Sequence, residues 1–178
     1  LLFGETVRIL KQKGSLWVKV RSLHDDYEGW MTRTLLQAAK EDDAKAYSDY
    51  VSTGFLNVIH LNESKIRIPM GASLPGFIDG RGKINGSIFH LEGEYHNRKE
   101  QRLEAGTVNH LTAQWLNAPY LWGGRTILGI DCSGFVQVNY KMMGVDLPRD
   151  AWQQAQEGET VRKLKDAVCG DIAFFDDK

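Results

Sequence analysis

The stretch Pro119–Gly134, PYLWGGRTILGIDCSG, constrains this chain more than any other. It sets Cys132 at the mouth of a predicted helix. Pro119 ends what precedes it, because a residue before proline is pushed out of the α region. Gly123 and Gly124 supply a turn, and Gly129 bends the chain back. From Cys132 onward, Phe135, Val136, Tyr140 and Met143 recur at helical spacing, and Gly144 is the expected stop. A thiol in the first turn of a helix meets the positive end of the macrodipole and unpaired N–H groups. Both favour the reactive thiolate, and the same donors can hold an oxyanion. Asp131 and Ser133 are expected to cap this helix, and Trp122 to pack the turn. By residue type alone a single cysteine is more often a small buried hydrophobe. Cys169, just ahead of the apolar run Ile172–Phe175, is read as structural in that way.

Composition excludes several classes. A formal net charge of -1 over 178 residues gives no sign of nucleic-acid binding. An apolar share of 42% with 25% charged residues describes a globular chain. No apolar run approaches the roughly 18–20 residues of a membrane span. Two cysteines make neither a disulfide framework nor a zinc-ligand spacing. The glycine-rich run GRGKING at 80–86 lacks the phosphate-loop pattern. No metal or cofactor is therefore expected, and oligomeric state is not legible. The chain opens on LLFGETVRIL without an initiator Met or a leader-like segment, and stops directly after FFDDK. It reads as a fragment.

Periodicity divides the chain. Residues 1–37 hold three strand candidates, Thr6–Leu10, Leu16–Val20 and Tyr27–Met31, spaced as in a small barrel. Residues 38–53 are charged and read as a linker. Residues 54–106 hold further short strands at Phe55–Leu61, Lys65–Pro69 and Ser87–Leu91, punctuated by glycines. At Thr107, taken as an N-cap, the period becomes helical: Val108, Leu111, Trp115 and Leu116 share one face. A second helix is expected over residues 149–156 after Pro148, with Asp150 and Gln153 in a capping-box arrangement and Gly158 at its end. Ile172–Phe175 closes as a strand. The five histidines, His24, His60, His90, His96 and His110, all precede Cys132, and none is assigned as its base.

The run PYLWGGRTILGIDCSGFVQ, followed by LPRDAWQQAQEG and GDIAFF, resembles the NlpC-type family of papain-like cysteine peptidases, which cleave the peptide stems of bacterial cell walls. FGETVRIL, WVKV and YEGWM resemble the bacterial SH3-like modules attached to such peptidases. The resemblance implies an α+β chain of two small SH3-like β-barrels, 1–37 and 54–106, followed by the N-terminal part of a papain-like cysteine peptidase domain, 107–178. It implies that Cys132 is the nucleophile and that Tyr120 lines the cleft near the oxyanion hole. Asp150 would bind a free N-terminal ammonium, while Glu5 and Tyr27, with Glu28 beside them, would supply an acid and an aromatic ring from the first barrel. Asp131 and Ser133, on either side of the nucleophile, are carried as substrate-binding candidates. The implied substrate is a murein stem peptide cut between γ-D-glutamate and a diamino acid, in the bacterial cell envelope rather than the cytoplasm. In the family the base is a histidine on a strand after the GDIAFF-type segment. These residues alone are therefore expected to be inactive or nearly so. The alternative is a wall-binding adaptor with an inert peptidase-like remnant; hydrolysis or transacylation of another amide is a third reading.

Overall fold

The computed structural model describes residues 1–39 and 48–175. The chain divides into two compact units, Leu1–Arg98 and Lys99–Lys178. Half of the expected linker at 38–53, residues 40–47, lies outside the described residues, and a strand forms near its end. The expected boundary at 106/107 lies within a helix.

The first unit is built from antiparallel strands. β1 (Val7–Lys13), β2 (Trp17–Ser22) and β3 (Glu28–Thr32) form one sheet in that order. β1 and β2 are joined at Gly14, whose φ of 62° suits a residue without Cβ. β4 (Tyr50–Ser52) pairs with β9 (Tyr95–Asn97). β5 (Leu56–Leu61), β6 (Ser64–Pro69), β7 (Arg81–Ile84) and β8 (Ser87–Glu92) form a four-stranded sheet in the order β6-β5-β8-β7. The β7–β8 hairpin turns on Asn85 and Gly86, at φ 50° and 82°. Asn-Gly is favoured there because both turn residues need positive φ. So GRGKING is a strand followed by a tight turn.

The core of this unit is aromatic. Phe89 is fully buried among Ile59, Ile68, Ala72, Leu74 and Phe77. Gly82 on the neighbouring strand leaves room for its ring: a Cβ there would stand 2.1 Å from Phe89 Cζ. Phe3 meets Phe89 edge-to-face at 5.7 Å between centroids. The Ser73 N–H also donates to the Phe3 carbonyl at 3.0 Å, so the chain start packs on the second group of strands.

The second unit carries the helices. α1 (Ala105–Ala113) starts from Glu104 rather than Thr107, which lies inside the helix. It ends before Leu116, and Asn117 turns away at φ 68°; Leu116 is accordingly exposed, while Leu111 and Trp115 are buried. β10 (Arg125–Thr126) and β11 (Gly129–Ile130) are a two-residue hairpin leading into α2 (Cys132–Met142). Gly144, at φ 86°, follows α2 as expected. α3 (Ala151–Gln154) is a single turn, shorter than the expected 149–156, and it carries the expected capping box of Asp150 with Gln153. Trp115 joins the helices: its indole N–H donates to Asn139 Oδ1 at 3.2 Å, and its ring meets Phe135 edge-to-face.

Two expectations fail near the end of the chain. Ile172–Phe175 is not a strand, and Phe175 is 93% exposed. A strand exists only by pairing, and no described segment pairs with it. Cys169, read as a buried structural residue, is exposed in consequence.

Replacing Phe89 with Ala should destabilise the first unit by about 3–5 kcal/mol, since the ring leaves a cavity that β7 and β8 cannot fill. Denaturant unfolding followed by hydrogen exchange of the β5–β8 amides measures it; an unchanged midpoint would contradict this account of the core.

Candidate active site

The site is built around one buried carboxylate. Asp131 is the N-cap of α2: its Oδ1 accepts from the Gly134 N–H at 2.7 Å. Its Oδ2 accepts from the Gly123 N–H at 2.8 Å, so the same side chain ties the preceding turn to the helix. Oδ2 also accepts from Arg149 Nη2 at 2.6 Å, a pair with both side chains buried. Arg149 Nη1 donates to Ser133 Oγ at 2.7 Å. The Gln154 amide donates to the Ser133 and Pro148 carbonyls at 3.0 and 2.9 Å. The turn, the helix start and the α3 segment therefore converge on the residues flanking Cys132.

Cys132 itself is exposed, as the first residue of this eleven-residue helix. A group there faces the unshared backbone N–H donors and the positive end of the helix. The close backbone fit leaves no room for side chains: a Cβ on Gly134 would stand 2.3 Å from the Gly124 carbonyl oxygen. Tyr120 forms a one-residue parallel bridge with Ile130 and is 67% exposed. It therefore stands beside the strand that runs into Cys132.

Asp131 and Ser133, on either side of Cys132, are buried; Asp131 caps α2 as expected, and both bond Arg149. Trp122, expected to pack the turn, is 85% exposed. The turn is held instead by the Asp131 carboxylate, which accepts its backbone N–H and leaves the ring no packing task. Asp150 is half-buried at the start of α3.

Arg149 and Gln154 are the residues the sequence reading passed over. No local pattern marks either residue, since Arg149 bonds Asp131 and Gln154 bonds the Ser133 carbonyl, eighteen and twenty-one residues away along the chain.

In the first unit, Glu5 Oε2 accepts from the Leu2 N–H at 2.9 Å. Tyr27 is half-exposed at the entry to β3. Glu28 bonds Lys19 Nζ and Arg21 on β2, at 2.6 Å to each, and hydrogen bonds from the two cations hold its carboxyl below its usual range. His60 pairs with Glu92 at 2.7 Å, and His110 is exposed in the last turn of α1. Among the described residues no group of three or more His, Cys, Asp and Glu is placed to hold a metal ion, and no helix is long and apolar enough to cross a membrane.

A thiol on a helix N-terminus, behind a β-hairpin and ahead of a capped turn, is the arrangement of a papain-like cysteine peptidase domain. The NlpC/P60 family model matches residues 117–178, and the bacterial dipeptidyl-peptidase SH3 domain model matches residues 1–36. Residues 117–178 thus belong to the NlpC/P60 family, with a bacterial dipeptidyl-peptidase SH3 domain ahead of them. A gamma-D-glutamyl-L-lysine dipeptidyl-peptidase of Bacillus subtilis (strain 168) is 30% identical over 188 residues, covering 98% of this chain and 62% of that protein. A protein of the same name from Bacillus cereus (ATCC 10987) is 28% identical over 198 residues, covering 98% of this chain and 58% of its own length. The crystal structure of an NlpC/P60 family protein from Bacillus cereus ATCC 10987 superposes with a TM-score of 0.82 at 22% identity, covering 95% of this chain and 62% of that one. At that identity the likeness is one of fold. The chain spans about three fifths of the length of these relatives.

Burial raises the Asp131 carboxyl, but hydrogen bonds from Arg149, Gly134 and Gly123 outweigh it and hold the group below its usual range. A carboxyl depressed in the folded state stabilises fully above its unfolded value of ~3.9, and that contribution is lost as pH falls through the folded value. Hydrogen exchange of the α2 amides should therefore accelerate as pH drops below about 4, after correction for intrinsic exchange, and Asp131→Asn should flatten that response. An identical acid response in the variant would contradict the assignment.

Proposed function

We propose that the protein of which these residues form part is a cysteine peptidase of bacterial cell-wall peptides, with Cys132 as its nucleophile. The observation that carries this reading is an exposed thiol at the first position of α2, in an NlpC/P60 domain, with its N-cap fixed by a buried ion pair.

The Cys132 sulfur attacks the scissile carbonyl carbon. Backbone N–H groups of the first helical turn hold the oxyanion that forms, and Tyr120, exposed beside the strand that leads into Cys132, is the proposed neighbour of that site. The Gly134 N–H is already taken by Asp131, so the donors left to the oxyanion are those nearest the thiol itself. Collapse of the tetrahedral intermediate expels the amine, which takes up the proton given up by the thiol; water then attacks the thioester, releasing the acyl group as the acid and returning a proton to sulfur.

The bond we propose joins γ-D-glutamate to a diamino acid in a murein stem with a free N-terminal L-alanine. The gamma-D-glutamyl-L-lysine dipeptidyl-peptidase names of both relatives support it. Asp150 suits the free ammonium, since an N–H donor with full charge bonds a carboxylate strongly. Its capping-box role uses only part of its acceptor capacity. Glu5 and Tyr27 are kept as substrate contacts on the resemblance alone. Action on wall peptide favours the cell envelope, periplasmic or secreted, over the cytoplasm. With no histidine after His110, these residues by themselves should hydrolyse the substrate about 10²–10⁴-fold more slowly than a relative with its base in place.

Both cysteines are exposed, so accessibility does not separate them. Iodoacetamide should modify Cys132 faster than Cys169 at neutral pH, as read by mass spectrometry. Equal rates would favour the wall-binding adaptor. In a chain extended to a relative's length, Cys132→Ser should abolish hydrolysis of L-Ala-γ-D-Glu-L-Lys. Asp150→Asn should raise KM for that peptide about tenfold or more, while an N-acetylated peptide changes little. Equal losses on both peptides would remove the ammonium role.

A further inference from the structure

The cap of α2 poses an electrostatic problem. A carboxylate at a helix N-terminus stabilises the helix, but its negative charge opposes a second anion in the same turn. Cys132 follows Asp131 directly, and Asp131 caps the helix that Cys132 begins. An ionised Asp131 left alone would thus disfavour the thiolate that the helix end favours. A neutral cap such as Asn or Ser would avoid the conflict, since both cap well. The chain instead carries a buried carboxylate and sets a buried guanidinium against it at 2.6 Å. Arg149 comes from a separate segment, eighteen residues along the chain, and its second nitrogen bonds Ser133 Oγ on the other side of Cys132.

We propose that Arg149 is a positioning residue for Cys132 that acts through charge: it cancels the carboxylate capping α2, so the helix end presents a net positive field to the thiol. This rests on Cys132 being the nucleophile. Arg149 does not touch substrate in this scheme. It is buried, bonds Asp131 and Ser133, and works through the first. Gly134 and Gly123 share the Asp131 oxygens as backbone donors, but only the guanidinium brings a full charge to them. Arg125, whose aliphatic chain packs beside Gly134, stays unchanged in every comparison.

A purely structural role and a charge role differ in sign. Removing the cation leaves an uncompensated anion beside the thiol; removing the anion leaves an uncompensated cation. Loss of structure alone would slow the thiol in both cases. The test measures alkylation of Cys132 by iodoacetamide at pH 7 in the 178-residue chain, with Cys169 as internal reference, and needs no general base. Arg149→Met should lower the Cys132 to Cys169 rate ratio about tenfold, as the uncompensated anion disfavours the reactive thiolate. Asp131→Asn, which keeps a capping side chain, should raise it. The double variant should return to within about threefold of the unsubstituted chain, because no net charge is left uncompensated. Slowing in both single variants, or no change in either, overturns the proposal. Should Arg149→Met fail to fold by circular dichroism, Asp131→Asn decides alone: a faster Cys132 supports the charge role and an equal or slower one overturns it. Failure of the underlying reading looks different, since Cys132 would then be no faster than Cys169 in the unsubstituted chain.

Discussion

The contact between Arg149 and Asp131 is the constraint from which the NlpC/P60 half takes its shape. One carboxylate accepts from the turn at Gly123, from the helix at Gly134 and from a guanidinium that arrives after α2 has ended. Three stretches of chain are thus fixed to two oxygen atoms. A buried ion pair is a weak source of net stability compared with apolar packing, but loss of one partner costs about 3–5 kcal/mol because the other is left charged and unsolvated. Such a pair defines geometry sharply while adding little to overall stability. That is what the role proposed for Cys132 requires of a helix start, since it depends on direction.

The β-rich half is held in another way. Its centre is a group of rings, Phe3, Tyr50, Phe77, Phe89 and Tyr95, with neighbouring centroids between 4.7 and 6.3 Å apart. Each pair adds a modest orientational term to a large area of burial. Gly82 and Gly4 make the packing possible by what they lack: a Cβ on Gly4 would stand 2.1 Å from the Ser73 carbonyl oxygen. The N-terminal strands and the four-stranded sheet thereby form a single unit, although their sequences read as two modules.

Much of this could be read from the residues. Six strands, the start and stop of α2, the capping box of α3 and the exposure-ready thiol followed from alternation, helical spacing and turn chemistry. The strands β4, β7 and β9 did not, because each is three or four residues long and too short to show a period. Trp122 misled because a large aromatic beside glycines is commonly packed, whereas here the Asp131 carboxylate, eight residues on from Gly123, supplies the anchor. Arg149 was invisible for a related reason. Its partner lies far along the chain, and no local pattern announces a long-range pair. Ile172–Phe175 carried the composition of a strand, but composition does not supply the neighbour that a strand must bond.

Tyr120, Leu121, Trp122 and Leu128 stand exposed along the turn, while the backbone there is tied to the frame through Leu121, whose N–H donates to the Ile130 carbonyl and whose own carbonyl accepts from Gly124. Scaffold and rim are therefore separable in inheritance. Substitution at these outward positions can change the chemistry of the surface around Cys132 without disturbing the frame beneath.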